Sequence, residues 1–186
     1  MTKSKATGTD PCDQRHMAVA LELARRGLGR VWPNPAVGCV LVRAGQVVGR
    51  GWTQPGGRPH AETEALDRAG RRAQGATAYV SLEPCVHQGD TPPCVEALIR
   101  AGITRCAIAL EDPDPRASGR GIARMLEAGL VVQTGILADH ARELNEGFFS
   151  RINKGRPATT LKFATTLDGF IATARGESQW ITGALA

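Results

Sequence analysis

Apolar and polar positions along the chain fall into short blocks whose period switches between helix-like and strand-like. Met17, Ala20, Leu21, Ala24 and Leu28 recur at helical spacing and form one apolar stripe. Asp10-Pro11 ahead of them reads as an N-cap followed by Pro at the first helical position, and Gly27 and Gly29 close the helix. Trp32-Pro33-Asn34-Pro35 is irregular because its prolines fix φ and remove donors. Val37–Val42 is a buried strand, Ala44-Gly45-Gln46 turns the chain, and Val47–Trp52 returns it as a hairpin. A Gly/Pro loop over 53–58 leads into a helix from His60 to Arg72, with Ala65, Leu66 and Ala69 inward. A strand over 76–82, a helix over 94–101, a strand over 105–110, a helix over 120–128, a strand over 130–134 and a helix over 138–150 follow. This alternation after an opening hairpin predicts an α/β fold, a mixed sheet with helices on both faces. Residues 152–157 form a polar break, and 159–166 and 170–174 read as two more strands around Leu167-Asp168-Gly169. The roughly thirty residues beyond the break are too few for a domain of their own.

The chemistry concentrates between Pro59 and Cys94. His60, Cys85 and Cys94 make a soft three-ligand set suited to Zn²⁺, and three protein ligands leave a tetrahedral position for water, as in a catalytic site. Glu62, two residues after His60, is placed to shuttle protons between water and a leaving amine, the arrangement of zinc deaminases in which the carboxylate is acid/base and not ligand. Positions i and i+2 do not share a helix face, so both side chains reach one cleft only if His60 precedes regular helix. Cys85 lies at the carboxyl end of a strand, where open α/β sheets bind ligands; it and Cys94 lie at or before a helix start, which favours thiolate. A non-catalytic zinc module is the alternative, with His87 as its candidate fourth ligand. Asn34, just before a strand, is either a turn residue or a donor and acceptor overhanging the cleft.

Composition narrows the function classes. The 186 residues are 42% hydrophobic and 22% charged, ordinary for a globular protein, with no apolar run long enough to span a membrane. Residues 1–9 are polar and predict a disordered tail and not a secretory signal. Five cysteines, with Cys12, Cys39 and Cys106 unassigned, fit a reducing cytoplasm and not a disulfide framework. Net charge of +5 suits either a phosphate-bearing small molecule or a generally basic surface. Nucleic acid is disfavoured because only 4% of residues are aromatic and none interleave with the basic ones.

The motifs as a set resemble the bifunctional deaminase/reductase family of riboflavin biosynthesis from Asp13 onward. They are Pro33-Asn34-Pro35-Ala36-Val37-Gly38, His60-Ala61-Glu62, Leu82-Glu83-Pro84-Cys85, Thr91-Pro92-Pro93-Cys94, Asp112-Pro113, Gly119-Arg120-Gly121, Leu144–Phe148, Leu167-Asp168-Gly169 and Gly176–Thr182. The resemblance implies a three-layer α/β/α cytidine-deaminase-like domain over 10–151, a linker over 152–157, and over 158–186 the first strands of a dihydrofolate-reductase-like domain, incomplete in this sequence. It implies one zinc per deaminase site, hydrolytic deamination of 2,5-diamino-6-(5-phosphoribosylamino)pyrimidin-4(3H)-one, and NADPH-dependent reduction only where the reductase domain is whole. It further implies substrate contacts at Asn34, His87, Asp112 and Ser178, NADPH contacts at Ala164 and Trp180, a cytoplasmic setting and association into a homo-oligomer. Thr53, Asp90 and Asp114 depart from the family pattern, which has His, a basic residue and Asn there, so the resemblance does not assign the phosphate contact of this chain. Another nucleobase, nucleoside or RNA deaminase of the same superfamily is the competing enzyme reading.

Overall fold

Alternate residues on each central strand pack to opposite faces, and that division builds the layers. In the computed structural model, which describes residues 10–88, 92–115, 117–177 and 179, strand β1 (Gly38–Arg43) sends Cys39 and Leu41 to one face and Val40 and Val42 to the other. β3 (Thr77–Val80) and β4 (Arg105–Ile108) repeat the split. With β2 (Gln46–Trp52) and β5 (Val131–Thr134) they form one sheet in the order β2-β1-β3-β4-β5. β1 is antiparallel to both neighbours, while β3, β4 and β5 are parallel, so the sheet is mixed as expected. The β1–β2 turn needs positive φ at both central residues and has it, at Ala44 and Gly45.

Helices α1 (Pro11–Arg25) and α5 (Ala138–Leu144) cover one face. α2 (Ala61–Ala69), α3 (Cys94–Arg100) and α4 (Arg120–Glu127) cover the other. Gly51 lets α2 lie close against β2: a Cβ there would sit 2.1 Å from the Ala61 carbonyl oxygen. Opposite, Asp13 is buried under a bidentate ion pair from Arg105, at 2.9 and 2.6 Å, and accepts from the Tyr79 hydroxyl at 2.8 Å. No helix among the described residues is long and apolar enough to cross a membrane.

Several expected boundaries shift. Asp10 caps α1 as expected, accepting from the Cys12 amide at 2.9 Å. The helix nevertheless ends at Arg25, because the next amides bond three residues back, and Leu28 leaves the core stripe, 44% exposed. The helix from His60 gives way after Ala69 to a 3₁₀ turn over Gly70–Ala73. The helix expected over 138–150 is two, α5 and α6 (Glu146–Lys154), parted at Asn145. Buried Asn145 takes the Ala36 amide on Oδ1 at 2.9 Å and donates Nδ2 to the Ala36 carbonyl at 2.8 Å. The strands expected over 159–166 and 170–174 are not formed among the described residues: the stretch is exposed, and its backbone bonds are those of turns, as between Thr166 and Phe170. A strand needs a neighbour for its ladder, and none lies alongside.

Candidate active site

Four segments converge at the carboxyl ends of β3 and β4. His60 is the N-cap residue of α2, with extended φ/ψ of −72° and 161°. It therefore stands outside the helix, and the face constraint between i and i+2 does not apply to His60 and Glu62. Glu62, in the first turn, is 3% exposed. Cys85 lies in the loop after β3 and not at a helix start, whereas Cys94 is the first residue of α3. The two are joined through the backbone: the Cys94 amide donates to Cys85 Sγ at 3.4 Å and the Val95 amide to the Cys85 carbonyl at 3.2 Å. Cys85 thus supplies the acceptors for the open N-terminus of α3.

The donor geometry tests the metal directly. Bond lengths of ~2.3 Å for Zn–S and ~2.0 Å for Zn–N at tetrahedral angles put nitrogen and sulfur donors ~3.5 Å apart. His60 Nδ1 stands 3.3 Å from Cys94 Sγ and 3.7 Å from Cys85 Sγ. All three donor atoms lie within 4.8 Å of one another. The residues fit zinc. His87 lines the same cleft without joining this set, so among the described residues the cluster has three protein donors.

Charge at the site is graded by its contacts. The Cys85 thiol is lowered to about 4, chiefly by the hydrogen bond from the Cys94 thiol and then by His60, against the cost of burial. Cys94 moves up, since it donates to that thiolate and is itself buried. Coordination by both sulfurs as thiolates therefore releases a proton from Cys94. His60 is raised by its hydrogen bond with Cys85, opposed by burial, aided by the Glu62 and Cys85 charges and opposed also by Arg58. Burial pushes the Glu62 carboxyl up to about 7, and the Cys85 charge adds to it.

The cleft is small, about 90 Å³, and is lined by Asn34, Thr53, Arg58, His60, Glu62, Glu83, Cys85, His87 and Asp112 among others. Three expected substrate contacts, Asn34, His87 and Asp112, thus line one cleft with His60, Glu62 and Cys85. Asn34 is held by its amide nitrogen, which donates to the Gly57 carbonyl at 2.9 Å. Asp112 is raised by burial first, with the Asp114 and Glu83 charges adding to it and the Asp114 amide opposing. Thr53 is buried, and its hydroxyl accepts from the Val37 amide at 3.0 Å, tying the loop to the start of β1. Ala164 is exposed and does not line the cleft; Ser178, Trp180 and Asp90 lie outside the described residues. A larger groove of about 580 Å³ lies behind the Asn34 loop, but its lining contains no His, Cys, Asp or Glu, so the chemistry belongs to the smaller cleft.

Residues 10–110 match the sequence profile of the cytidine and deoxycytidylate deaminase zinc-binding region. The chain belongs to that family. It is 51% identical over 170 residues to the riboflavin biosynthesis protein RibD of Escherichia coli K12, covering 91% of this chain and 46% of that one. Its fold superposes on Acinetobacter baumannii RibD with a TM-score of 0.84 at 50% identity, covering 92% of this chain and 48% of that one. It superposes also on a Thermotoga maritima diaminohydroxyphosphoribosylaminopyrimidine deaminase/5-amino-6-(5-phosphoribosylamino)uracil reductase, with a TM-score of 0.87 at 43% identity over 94% and 50% of the two chains. The chain spans about half the length of each of these three relatives. The matched zinc-binding region contains the His60, Cys85 and Cys94 cluster, whose three donors fit that ion.

Three residues were not singled out from the sequence: Arg58 and Glu83, which line the cleft, and Asn145, which fixes Ala36 near it. Arg58 is one Arg among many, legible only from its place two residues before His60. Glu83 and Asn145 stand inside quoted motifs, but their partners are backbone amides far along the chain, which residue types do not reveal.

Proposed function

We propose that this chain catalyses zinc-dependent hydrolytic deamination of 2,5-diamino-6-(5-phosphoribosylamino)pyrimidin-4(3H)-one to 5-amino-6-(5-phosphoribosylamino)uracil, a step of riboflavin biosynthesis. The supporting observation is a buried carboxylate, Glu62, beside three preset zinc donors at the back of a cleft. When bound, zinc supplies Lewis acidity that brings the pKa of water toward ~7. Glu62 takes the proton from the attacking water and delivers it to the departing amine. Asn34, His87 and Asp112 orient the pyrimidine. Burial of Glu62 excludes bulk water from the proton's path.

Among the described residues, Arg58 is the one Lys or Arg lining the cleft, amid Glu62, Glu83 and Asp112. It takes the substrate's phosphate, the role left open by Asp90 where the family has a basic residue. The deciding assay is ammonia release from the phosphoribosylated diaminopyrimidine, with and without a zinc chelator. Release that chelation abolishes and zinc restores is the expected result; none from the zinc-loaded protein refutes the reading. Arg58→Gln raises KM for this substrate with little change in kcat, and Arg58→Lys recovers part of the loss. An unchanged KM in Arg58→Gln would remove Arg58 from that role.

A further inference from the structure

Glu83 is 5% exposed, and its carboxylate is saturated by backbone amides. Oε2 accepts from the Asp112 amide at 3.2 Å and the Gly119 amide at 3.0 Å. Oε1 accepts from the Gly121 amide at 2.8 Å and the Ile122 amide at 3.1 Å. The Glu83 amide donates to the Leu110 carbonyl at 2.9 Å. One residue therefore grips both ends of the loop between β4 and α4, on which Asp112 stands, and lies two residues before Cys85.

Capping alone does not call for this arrangement. A helix ordinarily takes its cap from its own N-cap side chain, but the N-cap residue of α4 is Gly119, which has none. The acceptor comes instead from a residue 36 to 39 positions earlier, on the segment that carries a zinc ligand. Gly121 permits the approach, since a Cβ there would lie 2.5 Å from the Pro84 carbonyl oxygen and 3.0 Å from Glu83 Oε1. Asp112 is held a second time through its own side chain, which accepts from the Asp114 amide at 2.9 Å. A buried carboxylate is tolerated only when such donors replace its hydration, so Glu83 and the loop are ordered together.

We infer that Glu83 is a positioning residue for the deaminase reaction: its carboxylate clamp, anchored two residues before Cys85, sets Asp112 against the substrate. This rests on the reading above in which Asp112 meets the pyrimidine. The clamp accounts for the Gly119-Arg120-Gly121 motif, which the zinc chemistry does not use.

The test is a double-mutant cycle on the zinc-loaded chain with the phosphoribosylated diaminopyrimidine. Glu83→Gln turns two acceptor positions into an N–H₂ group facing amide donors. KM is expected to rise about tenfold, the size of one lost charge-assisted hydrogen bond, while zinc content is kept. In the Asp112→Ala background Glu83→Gln costs nothing further in kcat/KM, because the side chain it positions is gone. Effects that multiply, or an unchanged KM in Glu83→Gln, overturn the proposal, since a merely structural role lowers both backgrounds alike. Should Glu83→Gln not fold, Glu83→Asp carries the same cycle, as its shorter side chain draws the carboxylate back from the amides without removing the charge. Amide exchange at Asp112, Gly119, Gly121 and Ile122 adds an arm that needs no substrate. Protection lost in Glu83→Gln supports the clamp, and wild-type protection there refutes it, even if the wild-type chain releases no ammonia and the assigned substrate itself falls.

Discussion

Glu62→Gln separates what the buried carboxyl costs the fold from what it does in the reaction. The group is 3% exposed, and its pKa rises from 4.5 to about 7, through burial first and the Cys85 charge second, with His60 and hydrogen bonding opposing. An acid raised on folding binds its proton more tightly in the folded chain. The unfolded chain therefore gains stability by ionising from pH 4.5 upward, while the folded chain gains none until about 7. Stability falls with rising pH across that window and levels off above it, by roughly 3 kcal/mol at about 1.4 kcal/mol per pH step. Gln does not titrate. Urea unfolding of chelated protein between pH 4.5 and 8, followed by circular dichroism, is expected to show the wild-type chain losing that increment and the variant keeping it. Zinc narrows the gap, because a nearby cation favours the carboxylate. The same substitution keeps zinc and loses ammonia release, by about 10²–10⁴-fold for the acid–base step. Parallel pH profiles for the two chelated proteins would refute the burial argument, whatever became of the activity.

Asp13→Asn removes one partner of a mostly buried pair whose side chains are 7% and 25% exposed. It is expected to cost about 3 kcal/mol at pH 7, the lower end for such a break because Arg105 keeps some water. Asp13 is lowered chiefly by its hydrogen bonds with Arg105, so that contribution is present above the unfolded pKa and is lost as pH falls through the lower folded value. Thermal melts should show the variant's deficit constant above pH 4 and shrinking below it; a deficit that grows in acid would contradict the assignment. Gly51→Ala places a methyl group 2.1 Å from the Ala61 carbonyl oxygen. It is expected to lower stability by about 1–3 kcal/mol, the usual cost of overpacking, and to weaken zinc binding as α2 shifts with His60 at its head. Unchanged zinc affinity would show that α2 and the site move independently.

The cluster of His60, Cys85 and Cys94 was legible because few residue types suit a soft metal, and Glu62 because a proton shuttle needs a carboxylate beside them. The layered fold was legible for a similar reason, since period-two and period-3.6 patterns report which side of an element is buried. What those patterns do not carry is the identity of the partner. The block 138–150 has one helical period, yet it parts at Asn145, whose amide is claimed by Ala36, 109 residues away. Leu28 fits the α1 stripe, yet the helix has already closed into i→i−3 bonds at Arg26. Leu161 and Phe163 alternate as in a strand and Phe170-Ile171 is apolar, yet all four stand exposed, since composition cannot supply the neighbouring strand that a ladder requires.

The same limit explains which parts of the cleft escaped a reading by residue type. The wall that carries His60, Glu62 and Cys85 is made of side chains with distinctive chemistry. The opposite walls are set by side chains bonded to backbone: Asn145 to Ala36 beside the Asn34 loop, Thr53 to Val37, and Glu83 to the Asp112 loop and α4. Any chain segment offers amides and carbonyls, so nothing in its composition marks it as a partner. Fixing these segments through the backbone has an energetic consequence. His60, Cys85 and Cys94 are held at separations near those of tetrahedral zinc by bonds that do not involve zinc, such as the Cys94 amide to Cys85 Sγ. Donors ordered during folding need not be ordered again on binding, so less of the metal's affinity is lost to arranging them. The supporting hydrogen bonds, as much as the three ligands, therefore determine how tightly this site holds its ion.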